Sequence, residues 1–271
     1  MQTLNFNILG VQLQARCPDQ SSHDLLLGCY SAFLNEDSSR TQLHYEISLQ
    51  ATGGYRLAPR DGQAIDCADD YDLMYFFEKN ITLEIQKIRT DLLFLHGGAL
   101  EFQGKCCIFT APSGSGKSTT TWAALHHGFN YMSDELAPIV PGSNEVACYP
   151  HALCLKHVPP APYDLPPDTV RTNRTLHIPV TSLPSGTVLD PMPLAAVFFV
   201  RYDPAATAPQ IRPVSTAECG ARLYSNALNL LCHSRYGLDV VVAAAAGCSG
   251  FELITNDLAS SCELVKQTLS G

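Results

Sequence analysis

Ala111-Pro112-Ser113-Gly114-Ser115-Gly116-Lys117-Ser118-Thr119 constrains this chain more than any other stretch. It follows an apolar run, Cys106 to Phe109, and opens a segment of helical pattern, Lys117 to His126. A strand that feeds a helix through such a loop has the context of a Walker A loop. The glycines let successive backbone N–H groups turn toward an anion, and the helix start adds its positive end. On that reading Ser113, Gly114, Ser115, Gly116, Lys117, Ser118 and Thr119 cradle phosphates. Lys117 reaches the β- and γ-phosphates, and the Ser118 hydroxyl sits on Mg2+. The strict pattern begins with glycine, whereas position 111 is Ala. A positive φ there would be strained by the Cβ.

The remainder of the chain reads as an α/β (α+β) protein. Leu4, Phe6 and Ile8 alternate with polar residues, as do Leu43, Tyr45, Ile47 and Leu49, which is the period of a half-buried strand. Thr52-Gly53-Gly54 and Asp61-Gly62 supply turns. Asp24 to Leu34 reads as a helix capped by Asp24. Leu73, Phe76, Phe77, Ile81, Ile85 and Ile88 recur by threes and fours, so Asp69 to Thr90 reads as a helix bridging two domains. The expected division is a β-rich N-terminal domain, 1–78, and a catalytic domain, 79–271. In the latter, Leu92 to Leu95 is a buried strand, and Ala99 to Phe102 with Lys105 to Thr110 a hairpin turning at Gly104. Gly128 ends the loop's helix, and the strand Phe129 to Ser133 completes a βαβ unit. Nine prolines between 157 and 193 mark an irregular excursion. Ala195 to Val200 is a core strand, Ser215 to Leu231 a helix with a capping box at Ser215 and Glu218, and Phe251 to Thr255 a strand before a last helix capped by Asn256 or Asp257.

Composition narrows the function classes. The 271 residues carry 17 Lys and Arg against 26 Asp and Glu, a net charge of −9, which argues against nucleic acid as the main partner. The 46% hydrophobic and 16% charged content excludes a disordered chain. Eleven cysteines are an odd number with no C-x-x-C spacing, which reads as scattered reduced thiols of a cytoplasmic protein. Met1 to Gly10 lacks the pattern of a signal peptide, and the longest apolar run, Val240 to Ala246, is far short of about 20 residues, so no membrane association is expected.

Met132-Ser133-Asp134-Glu135 ends a strand only seventeen residues after Lys117, so its carboxylates come to the loop on the very next strand. Taken with Leu95-His96-Gly97-Gly98-Ala99-Leu100 and Gly128-Phe129-Asn130-Tyr131, this resembles the catalytic domain of the HPr kinase/phosphorylase family. The match is to its shorter, HPr-kinase-related members, distant relatives of phosphoenolpyruvate carboxykinase. Tyr149 to Lys156 and Val197 to Tyr202 are similar to later family segments. The resemblance spans about residues 92–157 and, more weakly, 194–258. The first 90 residues do not look like the N-terminal domain of the bifunctional HPr kinases.

The resemblance implies an ATP- and Mg2+-dependent serine/threonine kinase with a P-loop core. It makes Asp134 the general base, Glu135 a Mg2+ contact through water or an orienting group for His96, and His96 a hydrogen-bonding partner of Asp134 or the γ-phosphate. Arg201, at a strand end, can neutralise phosphate bidentately; Lys156 is a second candidate contact. Asn226 and Asn229 read as structural. The acceptor is a protein or peptide Ser/Thr hydroxyl, with a small-molecule alcohol, or a nucleotide-binding regulatory module of little turnover, as alternatives. The family's oligomers imply a homo-oligomer. The bifunctional members carry a Glu and an Arg-Gly segment where this chain has Pro159-Pro160-Ala161-Pro162, which argues against phosphorolysis and against HPr as acceptor.

Overall fold

The computed structural model describes residues 1–36 and 40–271 of the chain. The described residues divide into two compact units. The first comprises residues 1–88, 151–158 and 165–182, the second 89–150, 159–164 and 183–271.

Period-two patterning builds the first unit. The strands β1 (Gln2–Ile8) and β2 (Val11–Cys17) form a hairpin across Leu9-Gly10, both at positive φ. β2 buries Val11, Leu13, Ala15 and Cys17 and was not anticipated from the sequence, although its alternation is complete. The helix α1 (Gln20–Tyr30) starts earlier than expected: Asp19, not Asp24, caps it by accepting from the Ser22 N–H. β3 (Leu43–Leu49), β4 (Tyr55–Pro59) and β5 (Ile65–Cys67) complete a sheet ordered β1-β2-β3-β4-β5, in which only β2 and β3 run parallel. The helix α2 (Asp70–Ile88) buries Leu73, Met74, Phe77, Ile81 and Ile85. All of α2 lies in this unit, whose first segment runs to residue 88, where the sequence reading sets the division at 78. Aromatic edges knit the core: Tyr30 to Phe77 at 5.6 Å and Tyr45 to Phe77 at 5.1 Å between ring centroids.

The proline-rich excursion is more ordered than its composition suggests. Its short strands Val170–Arg171 and Leu176–Ile178 join Leu153–Leu155 in a three-stranded sheet of the first unit. Two buried histidines lie there. The His151 ring packs on Tyr30 at 4.9 Å, with Nε2 3.3 Å from Glu78 Oε1. His177 Nε2 meets Thr175 Oγ1 at 2.9 Å. Burial, and then the nearby His151, push the His177 pKa down to about 3. Histidine in the unfolded chain titrates near 6.5, so between those values the unfolded state holds one proton more. Stability contributed by neutral His177 is therefore complete above about pH 6.5 and is lost as pH falls toward about 3. The expected slope is up to about 1.4 kcal/mol per pH unit. Urea unfolding of wild type and His177→Gln across pH 4–7 checks this; equal slopes for the two would refute it.

The second unit is built on a sheet of nine strands among the described residues. β6 (Leu93–His96) is followed by the hairpin β7 (Gly98–Phe102) and β8 (Lys105–Thr110), whose turn residues Gln103 and Gly104 take φ 53° and 77°. Then come α3 (Lys117–His126), β9 (Asn130–Ser133), β10 (Leu136–Val140) and β11 (Glu145–Val146). The long strand β12 (Met192–Tyr202), β13 (Gln210–Pro213), α4 (Thr216–Asn226), α5 (Leu238–Ala246), β14 (Ser249–Thr255) and α6 (Leu258–Ser270) complete it. β8 and β9 do not pair directly as a simple βαβ unit would have them. β7 lies between them, antiparallel to both. β8 pairs on its other side with β12, which in turn pairs parallel with β14. The strand before the loop is therefore paired on both sides, over a core that includes Leu93, Ile108, Met132 and Val197.

Three helix expectations change. α4 ends at Asn226, five residues early, because Ala227 bridges Leu95 and the Leu228 N–H donates to the Phe94 carbonyl. α5 was not anticipated. Asp257, not Asn256, caps α6 by accepting from the Ser260 N–H at 2.8 Å. None of the eleven cysteines, all within the described residues, is in a disulfide. Among the described residues, no helix is long and apolar enough to cross a membrane.

Candidate active site

The loop between β8 and α3 owes its shape to two glycines. Gly114 and Gly116 take φ 86° and 90°, a region that a Cβ penalises, and Gly116 is the residue from which α3 starts. Ala111 is not among the residues with positive φ, so the departure from a leading glycine introduces no strain. Thr120 Oγ1 donates to the Gly116 carbonyl at 2.9 Å and the Thr120 N–H does the same, closing the first turn. The opening N–H groups of α3 have no helical acceptor, which is the geometry of an anion site at a helix start.

Lys117 points into the protein. Its Nζ donates to the Asp134 carbonyl oxygen at 2.8 Å and stands 3.6 Å from Asp134 Oδ1. The Lys117 side chain is 8% exposed and that of Asp134 0%. A lysine and a carboxylate this deep stabilise each other's charge. Asp134 and Glu135 form the turn between β9 and β10. The end of β6 is tied to that turn: His96 pairs with Leu136, and the Gly97 N–H donates to the Glu135 carbonyl at 3.3 Å. Thr110 Oγ1 donates to the His96 carbonyl at 2.8 Å. His96, Asp134, Glu135 and Lys117 are thereby brought together by β6, β9 and α3.

The two glycines after His96 make the space for this. A Cβ on Gly98 would stand 2.7 Å from Thr121 Oγ1 and 3.5 Å from Asp134 Oδ1, and one on Gly97 would stand 2.9 Å from an Ile108 methyl. Thr121, one turn beyond Lys117 on α3, is also buried here, a residue not singled out from the sequence.

Ser113, Ser115, Ser118 and Thr119 fall on the loop and the first turn of α3, as their spacing indicated. Arg201 does not join the cluster. Its guanidinium pairs with Asp203 at 3.0 Å and is about half exposed. The neighbouring Tyr202 is the residue that meets the loop: its N–H donates to the Ser115 carbonyl at 3.1 Å, and its Cβ lies 3.5 Å from where a Gly116 Cβ would be. Lys156 belongs to the first unit. Asn229 is structural, accepting from the Phe94 N–H at 3.0 Å and donating to the Leu92 carbonyl at 2.8 Å.

Beside the loop is a cavity of about 470 Å³. Gly114, Gly116, Thr119, Tyr163, Tyr202 and Asn256 are among the residues that line it. The Tyr163 wall is fixed by two bonds: Trp122 Nε1 donates to its carbonyl at 3.1 Å and His127 Nε2 meets its hydroxyl at 2.9 Å. The proline-rich Pro160-Ala161-Pro162 contributes here, a contribution its composition alone did not reveal.

No protein-family model and no curated protein matches the chain in sequence. Among solved structures it is similar to the Hpr(Ser) kinase/phosphatase from Coxiella burnetii, at 10% identity and a TM-score of 0.30, over 65% of this chain and 93% of that one. The likeness is distant.

Proposed function

We propose that the second unit is an ATP-dependent kinase that transfers the γ-phosphate of ATP, with Mg2+, to a Ser or Thr hydroxyl of a protein or peptide. The observation that carries this reading is the convergence on one another of the glycine loop, Lys117 and the buried Asp134 carboxylate. A phosphoryl-transfer site needs this set: backbone donors and a cation for the polyphosphate, and a carboxylate beside them for the acceptor's proton.

In this reading the N–H groups of residues 113–119 hold the phosphates, and the Ser118 hydroxyl with Glu135 would hold Mg2+. ATP supplies the transferred phosphoryl group. Lys117 exchanges the Asp134 carbonyl for phosphate oxygens, and this uncovers the carboxylate. Asp134 then accepts the proton of the incoming hydroxyl as its oxygen bonds to phosphorus and the bond to ADP breaks. His96, held to the Glu135–Leu136 segment, orients Asp134 or the γ-phosphate. Arg201 is assigned no direct phosphate contact, because Asp203 already engages it.

The test is turnover. The full chain with ATP, Mg2+ and a Ser/Thr peptide library is expected to yield ADP and phosphopeptide together. Nucleotide binding without ADP release against any peptide or small alcohol would overturn the kinase reading and leave a regulatory nucleotide module.

A further inference from the structure

We infer that a recess on the outer face of the first unit's five-stranded sheet takes an acidic segment of the peptide acceptor, with two of its carboxylates held by Arg16 and Arg60. That the bound peptide is also the phosphate acceptor rests on the kinase reading; the binding itself does not.

The sheet has two unlike faces. Alternation sends Leu13, Ala15, Ile47 and Leu57 into the core and leaves Gln14, Arg16, His44 and Glu46 on the other side. Pairing sets Gln14 beside His44 and Arg16 beside Glu46. Arg60 follows β4, and its N–H donates to the His44 carbonyl at 2.9 Å. Arg16, His44, Glu46 and Arg60 line one recess of about 230 Å³. A smaller one of about 70 Å³ shares His44 and Arg60 with it.

Two cations here have no partner. Elsewhere on this face the polar groups are engaged: Gln14 Nε2 donates to Asn5 Oδ1 at 3.1 Å, and Arg56 pairs with Asp66 at 2.9 Å. Arg16 and Arg60 are both exposed, and among the described residues neither guanidinium makes a hydrogen bond or an ion pair. Each fork can take a carboxylate bidentately. β3 lies between β2 and β4, and Arg60 stands two residues along from the row of Arg16, so the two backbones are on the order of 12 Å apart. Side chains of that length lining one recess suit carboxylates about 7 Å apart, the spacing of alternate side chains on an extended peptide.

The acids nearby select the partner. Glu46 lines the same recess, and Asp61 and Glu84 line the smaller one. A continuous row of phosphates, as in a nucleic acid, would meet these carboxylates. A peptide can place its acids over the arginines and neutral residues elsewhere.

The test uses a fluorescent serine peptide with glutamates at alternate positions, its glutamine counterpart, and the full chain without nucleotide. Fluorescence anisotropy is expected to show the acidic peptide binding at least about tenfold more tightly than the glutamine form, and more weakly as salt rises. Arg16→Gln with Arg60→Gln should abolish that preference without changing the melting temperature. Arg56→Gln, whose guanidinium Asp66 already engages, should keep it within about twofold. In turnover the double variant should raise KM for the acidic peptide about tenfold and leave kcat and ATP affinity within about twofold. Equal binding of the two peptides by wild type, or a preference that survives in the double variant, would overturn the site. A single-stranded oligonucleotide bound more tightly than the acidic peptide would overturn the peptide as occupant. Failure of the kinase reading looks different: the acidic peptide would bind with its arginine dependence intact, yet no ADP would form.

Discussion

Lys117→Ala is expected to abolish the thermal stabilisation that ATP and Mg2+ give the wild-type chain, and to lower the melting temperature of the ligand-free protein as well. The first effect follows from losing the cation that faces the phosphates. At a ligand concentration about a hundredfold above Kd, binding stabilises a protein by about 2.7 kcal/mol, and that increment should vanish. The second effect comes from the partner left behind. Asp134 is fully buried, with the lysine ammonium 3.6 Å from its carboxylate. Removing one member of a buried pair costs about 3–5 kcal/mol, because the other keeps an uncompensated charge. A double variant, Lys117→Met with Asp134→Asn, should recover much of the ligand-free stability without recovering the response to nucleotide. Melting curves of the three proteins with and without ATP decide it. Equal ATP-induced shifts in Lys117→Ala and wild type would show that the loop is not a phosphate site.

Asp134→Asn separates chemistry from binding. The substitution keeps the size of the side chain and most of its hydrogen bonding but removes its basicity. The substitution leaves in place the loop N–H groups and the Lys117 ammonium that hold the phosphates in the bound state. Nucleotide affinity should therefore survive, while phosphoryl transfer falls by roughly 10²–10⁴, the range for a positioned base. A loose transition state, with little proton transfer at its peak, would put the loss at the lower end. The two parameters must be measured separately: kcat should fall with the Kd for ATP nearly unchanged. If affinity falls in step and Mn2+ restores part of the rate, the carboxylate holds metal instead. Transfer at the wild-type rate would remove Asp134 from the mechanism.

The parts of the site that local chemistry dictates were legible in the sequence. An apolar run, two glycines and a helical stretch bound the loop, and the structure starts α3 at Lys117 and ends it at His126, as the sequence indicated. The seventeen residues from Lys117 to Asp134 leave room for one helix and one strand, which is why the lysine and the carboxylate meet. What escaped depends on neighbours distant in sequence. α4 stops at Asn226 because β6 pairs with the residues that follow, a competition invisible in helix propensity. The insertion of β7 between β8 and β9 is likewise a pairing choice that no single segment encodes. Arg201 drew notice for its charge, yet strand alternation turns Tyr202 to the loop and leaves Arg201 with Asp203. Asn256 read only as a cap candidate, yet its amide donates to the Ala206 carbonyl, fifty residues away.

A nascent chain does not complete the first unit when residue 88 leaves the ribosome. The unit's three-stranded sheet and the His151 ring that packs on Tyr30 are encoded by residues 151–158 and 165–182. They emerge about 90 residues later, on the order of 5–20 s of synthesis. During that interval α1 and the aromatic cluster around Tyr30 lack part of their cover, while β6 to β11 of the second unit are already outside. The two units therefore mature in an interleaved order, and no stop codon placed after α2 would release a finished N-terminal unit.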